Sequence, residues 1–216
     1  MKKTVLTLLF ASITFSVVFA QKAGKDEVNF SEPFQVDSSE YFLIPKVIDN
    51  DDKDTYGKSK VYSLWGYYSD ILFYNSKTNQ TKKLFNGQLG VISSFNPRRY
   101  NSYGIEKETE TPANILSNHI IYLVRTDNFN GNNALDTDDP PYLYISTKTG
   151  DNLRQITPKG LYVINWYLSK DKKMILVKLK NDKNGNKKFG DGDDDLYYRI
   201  DLDNDVSKIK CYQVDL

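Results

Sequence analysis

Two stretches of this chain place oxygen-bearing side chains at alternate positions. In one, Asp182, Asn184 and Asn186 are followed by the carbonyl of Lys188 and by Asp193 at the twelfth position. In the other, Asn128, Asn130 and Asn132 are followed by the carbonyl of Ala134, then Asp136 and Asp139. Calcium is a hard cation that takes oxygen ligands, and alternate residues of a tight loop can aim side chains at one centre. An apolar residue stands at the eighth position of each series, Leu135 or Phe189, where it can pin the loop to a core. The spacing therefore predicts a structural Ca2+ in each loop, with affinity as weak as the ~0.1 to 1 mM of extracellular modules. Three features run against it. The sixth position, which needs a positive φ, carries Asn133 and Lys187 in place of glycine. The twelfth residue is Asp, shorter than a bidentate Glu, and the first loop has amides where carboxylates are expected. The competing reading is a polar turn, since Asn, Asp and Gly make turns without any ion.

Other chemistry has little support. The only histidine, His119, opens an apolar run, Asn118-His-Ile-Ile-Tyr, and the only cysteine is Cys211. One of each makes a zinc site improbable and an intrachain disulfide impossible. A buried place in a last strand suits Cys211. There is no Gly-x-Ser-x-Gly elbow and no Gly-x-x-x-x-Gly-Lys phosphate loop. Paired carboxylates for glycoside hydrolysis remain the enzymatic alternative, because that chemistry needs only two acids at the right separation. Trp65, Tyr67, Tyr68, Trp166 and Tyr167 are either a sugar- or peptide-binding surface or ordinary cross-strand packing.

The loops need elements to hold them. Sixteen tyrosines and 11 phenylalanines fall in short Tyr/Val/Ile/Leu runs between Asn/Asp/Gly/Lys clusters. That pattern predicts strands and turns, hence an all-β fold. The chain also repeats itself. Asn128 to Asn132 aligns with Asp182 to Asn186, Asp139 with Asp193, and Tyr142 to Ile145 with Leu196 to Arg199, at a constant offset of 54 residues without a gap. Each copy reads strand, Asx-rich loop, strand, turn, short strand, the last being Leu153 to Ile156 or Val206 to Lys210. A weaker copy lies upstream: strand Tyr41 to Ile44, polar loop Asp49 to Asp54, strand Ile71 to Tyr74, turn Ser76 to Asn79, strand Lys82 to Phe85. Units of about 28–88, 89–160 and 161–212 follow, in one repeat domain from 21 to 216. Asn96 to Leu116 has no strand pattern and reads as a long loop between units.

Leu161 to Ile209 resembles one blade of a TolB-like or WD-like β-propeller. Trp166-Tyr-Leu-Ser169-Lys170-Asp171-Lys172-Lys173 stands where such blades carry Trp and a Ser-Pro-Asp-Gly-Lys turn, with Lys170 for Pro and Lys172 for Gly. The resemblance implies a propeller-like array of about three four-stranded antiparallel units. The alternatives are a β-sandwich, or a partial propeller that closes by oligomerisation. The two Asx loops in turn resemble the EF-hand or dockerin type, placed between strands. TolB-like propellers mostly bind proteins, which implies a binding role.

At the N-terminus, Lys2 and Lys3 precede an uncharged, mostly apolar run from Thr4, and Val18-Phe19-Ala20 has the form of a cleavage site. Residues 1–20 thus read as a secretory signal peptide cleaved after Ala20. The expected destination is the periplasm or the exterior, with no stable membrane anchor after cleavage. Removing the two lysines takes the formal charge from +1 to −1. A near-neutral chain gives no electrostatic reason to bind nucleic acid. The expected function is an exported, non-enzymatic binding or interaction protein, calcium-stabilised, with a protein or glycan partner and scope for oligomerisation. A small exported carbohydrate-active enzyme is the alternative.

Overall fold

The computed structural model describes residues 28–36, 39–48, 68–87, 90–96, 99–100, 106–107, 116, 118–133 and 135–216. The expected signal peptide, the polar loop Asp49 to Asp54, Trp65, Tyr67 and Ala134 lie outside them.

The fold is all-β and antiparallel. The first unit contains β1 (Phe34–Gln35), β2 (Tyr41–Val47), β3 (Tyr68–Asn75) and β4 (Gln80–Lys83), paired in that order. The second contains β5 (Val91–Asn96), β8 (His119–Arg125), β9 (Tyr142–Thr147) and β10 (Arg154–Gln155). The third contains β11 (Tyr162–Leu168), β12 (Met174–Lys180), β13 (Asp195–Asp201) and β14 (Lys210–Gln213). The first two units join into one sheet through a single pair, Tyr68 with Ile92. The third is a separate sheet, and neither sheet closes into a barrel. The expected array of three four-stranded units is present.

Burial explains the sequence pattern strand by strand. In β8, HIIYLVR is apolar almost throughout, and six of its seven residues are buried. Successive strand side chains point to opposite faces, so β8 must be covered on both. Ile120, Tyr122 and Val124 pack with Leu43, Ile71 and Phe73 of the first unit. Ile121, with Leu143 and Ile145 of β9, packs with Ile175, Val177, Leu179 and Ile200 of the third. The second unit is thus clamped between its neighbours. In β12, MILVKLK buries only Ile175, Val177 and Leu179, and its other face points outward. A four-stranded sheet that cannot bury both faces alone gains stability by this stacking.

Three local expectations change. Asn96 to Leu116 joins β5 to β8 within the second unit, not between units, and includes a two-stranded ribbon of β6 (Arg99–Tyr100) and β7 (Glu106–Lys107). This insertion is why the 54-residue offset fails at the first strand of each unit. The last strand of the first unit is Gln80–Lys83, not Lys82 to Phe85. Leu84 and Phe85 are buried beyond the end of that strand, and Asp70 Oδ1 accepts the Phe85 amide at 3.1 Å. Val206–Lys208 is a 3-10 helix in place of a strand, capped by Asp205, whose side chain accepts the Ser207 amide. The closing strand is β14, one step later.

Candidate functional site

The two Asx loops share four equivalent hydrogen bonds. Asn128 Oδ1 accepts the Asn132 amide at 3.1 Å, and Asp182 Oδ1 accepts the Asn186 amide at 3.0 Å. Asn130 Oδ1 and Asn184 Oδ1 accept those same amides at 2.9 and 3.0 Å. The twelfth residue closes each loop. Asp139 takes the Phe129 amide at 2.8 Å and the Asp136 amide at 2.9 Å. Asp193 takes the Lys183 amide at 3.1 Å and the Gly190 amide at 2.8 Å. Short Asx side chains satisfy backbone donors that no ladder reaches.

The backbone agrees. Gly131 and Asn133 have φ of 75° and 63°, and Gly185 and Lys187 have 71° and 60°. The fourth and sixth positions of both loops are left-handed. Asn tolerates this conformation at low cost; Lys187 pays more for it.

The loops also touch. Phe129 packs on Phe189 with ring centroids 5.2 Å apart, and the Tyr162 ring is 5.1 Å from that of Phe189. Lys187 Nζ lies 3.7 Å from where a Cβ on Gly131 would stand. Their environments differ. Asp139 is fully buried, and its carbonyl accepts Arg125 Nε at 3.0 Å. Arg125 Nη1 in turn donates to Ser93 at 3.2 Å. Asp193 is only partly buried, and most of its loop is exposed.

Most of the side-chain oxygens expected to face calcium therefore already accept backbone amides. In the second loop Asp182, Asn184, Asn186 and Asp193 are linked by shared amides, with Asn184 Nδ2 donating to Asp193 Oδ1 at 3.3 Å. In the first loop Asn132 Nδ2 donates to Asp136 Oδ2 at 3.0 Å. An oxygen-only donor set suits calcium. Among the described residues no three His, Cys, Asp or Glu side chains gather as a metal site. An ion in either loop would rest largely on amide and carbonyl oxygens, a low-charge set.

Of the five aromatic residues, Tyr68 is buried in the first core cluster and Trp166 packs against the second. Tyr167 alone of the described three is exposed, at 55%. It belongs to a row that the spacing did not disclose. Tyr167 of β11 pairs with Leu176 of β12, which pairs with Arg199 of β13, which pairs with Tyr212 of β14. The row crosses the whole outer face of the third unit, and Tyr212 is 46% exposed. Asn165, Lys178 and Tyr197 form the next row. A signal existed in the apolar and aromatic residues of β12 and β13. Its meaning depended on which face the second unit covers.

His119 is buried at the start of β8, and burial pushes its imidazole below the ordinary value. Cys211 faces the second cluster from β14, and burial raises its thiol to about 11, so it is a poor nucleophile at neutral pH. Comparison with protein-family models and with curated proteins finds no match.

Proposed function

We propose that this chain is an exported, non-enzymatic binding protein of the propeller-like kind, with Asx loops that take Ca2+ as a structural ion. The third unit docks a protein partner on its outer face. The single observation behind the docking role is the Tyr167–Leu176–Arg199–Tyr212 row across a hydrogen-bonded sheet, in which Tyr167, Arg199 and Tyr212 are exposed and Leu176 is half-buried. Tyrosine and arginine are enriched at protein interfaces because each offers a large contact area with a polar tip. The row is rigid, since all four residues sit on paired strands. The signal-like N-terminal residues support export, and the twin loops support the calcium role.

The test is affinity capture from the exported proteins of the native source. The wild-type chain is compared with a Tyr167→Ser, Tyr212→Ser double variant. A defined protein held by the wild type and lost by the variant is the expected result. If both forms retain the same proteins, the outer face is not the docking surface. Retention of polysaccharide in place of protein would assign the face to a glycan.

A further inference from the structure

A cleft of about 480 Å3 opens where the second and third units meet. That volume lies within the range of small-molecule sites. Its walls come from three places: the entry to β8, the β11–β12 turn and the segment after β13. We propose that this cleft binds a neutral, polyhydroxylated ligand of sugar size, with His119, Asp203 and Lys173 on its walls.

The lining argues for that class. Asp171 and Asp203 are balanced by Lys172 and Lys173, so no net charge draws an ion in. Burial holds the imidazole neutral near pH 7. What remains is a dense set of donors and acceptors. Vicinal hydroxyls satisfy such a set, since each can both donate and accept. Leu116 and Leu202 are the apolar members of the lining, and they suit the C–H face of a sugar ring.

His119 adds an independent observation. It is 8% exposed, and its Nε2 has no hydrogen-bond partner. A buried polar atom without a partner is rare and calls for an explanation. The Asn204 backbone and the Asp203 carboxylate beside the ring oppose the effect of burial on its charge. That atom sits just inside the wall that His119 contributes to the cleft, and a ligand hydroxyl satisfies it once the ring turns outward.

The walls are also built in advance. Asp171 accepts Ser169 Oγ at 2.6 Å and the Lys173 amide at 3.1 Å. Asn118 Nδ2 donates to Asn204 Oδ1 at 3.0 Å, tying the β8 entry to the segment after β13. Lys172 holds a φ of 58°, a conformation glycine adopts freely. Strain of this kind collects at functional positions.

The experiment uses the exported chain labelled with 15N. Its sole histidine gives one unambiguous set of imidazole signals. Glucose, galactose, N-acetylglucosamine and maltose are titrated in turn, with acetate, phosphate and free lysine as charged controls. The expected result is a saturable shift of the His119 signals with at least one neutral sugar. Asp203→Asn and Lys173→Ala should each weaken that binding by about tenfold while leaving the melting temperature in place. Silence of the imidazole signals towards every sugar overturns the proposal. So does an equal response to a charged control, or an affinity that neither variant changes.

Discussion

Replacing Asp139 by Ala separates a loop held by its own hydrogen bonds from one held by an ion. Asp139 has no exposed surface, and its carboxylate takes two strong amide bonds, at 2.8 and 2.9 Å, plus a long one from Asn130 at 3.5 Å. Bonds to a charged acceptor contribute about 1.5–3 kcal/mol each, and a buried donor left alone loses its solvation as well. Counting the two short bonds, Asp139→Ala should cost about 3–5 kcal/mol, allowing for some relaxation of the loop. In a chain of this size that lowers Tm by roughly 6–20 °C. Asp193→Ala removes the equivalent bonds from an exposed loop, where water replaces them, so about 1–2 kcal/mol is expected. Asp138→Ala, at an exposed neighbour, should stay within about 0.5 kcal/mol of wild type. The assay is chemical and thermal unfolding in EDTA, which removes any ion from the comparison. The reasoning is refuted if Asp139→Ala lies within 1 kcal/mol of wild type (about a third of the lower bound), or if Asp193→Ala costs as much.

In the wild type, adding calcium to about 100 times its dissociation constant should stabilise the fold by about 2.7 kcal/mol. Magnesium should do less, and the effect should vanish in Asp182→Ala plus Asp193→Ala; superimposed melts in EDTA and millimolar calcium would exclude a structural ion. Gly150→Ala should destabilise by about 2–4 kcal/mol, since its Cβ would stand 2.7–2.8 Å from the buried Phe73 ring at a φ of +80°. A neutral result in urea unfolding would mean that the seam between the first two units is loosely packed. His119 has a folded pKa below its ordinary 6.5, so the unfolded chain binds the extra proton first. Stability should therefore fall as pH drops below about 6.5 and level off beneath the folded value. His119→Gln should lack that component, and identical pH profiles for the two chains would show that His119 does not carry it.

The local chemistry was legible in the residues. The apolar runs Met174 to Val177 and Ile120 to Val124 both spell strands, because such residues suit a pleated, packed surface. The constant spacing from Asn128 to Asp139 and from Asp182 to Asp193 fixed two matched Asx loops, since their hydrogen bonds close within a dozen residues. Even the positive φ at Asn133, Lys172 and Lys187 followed from turn positions where glycine is usual.

Tertiary structure decided the rest. A strand of consecutive apolar residues can bury either face, and only the stacking of the second unit against the third selects Ile175 and Val177 as core. That choice leaves Tyr167, Leu176, Arg199 and Tyr212 outside as one row drawn from four strands. It also seals His119 against the seam, though its neighbours in sequence do not foretell burial. These features arise where distant segments meet, and contact between segments depends on register and packing, which no local spacing encodes.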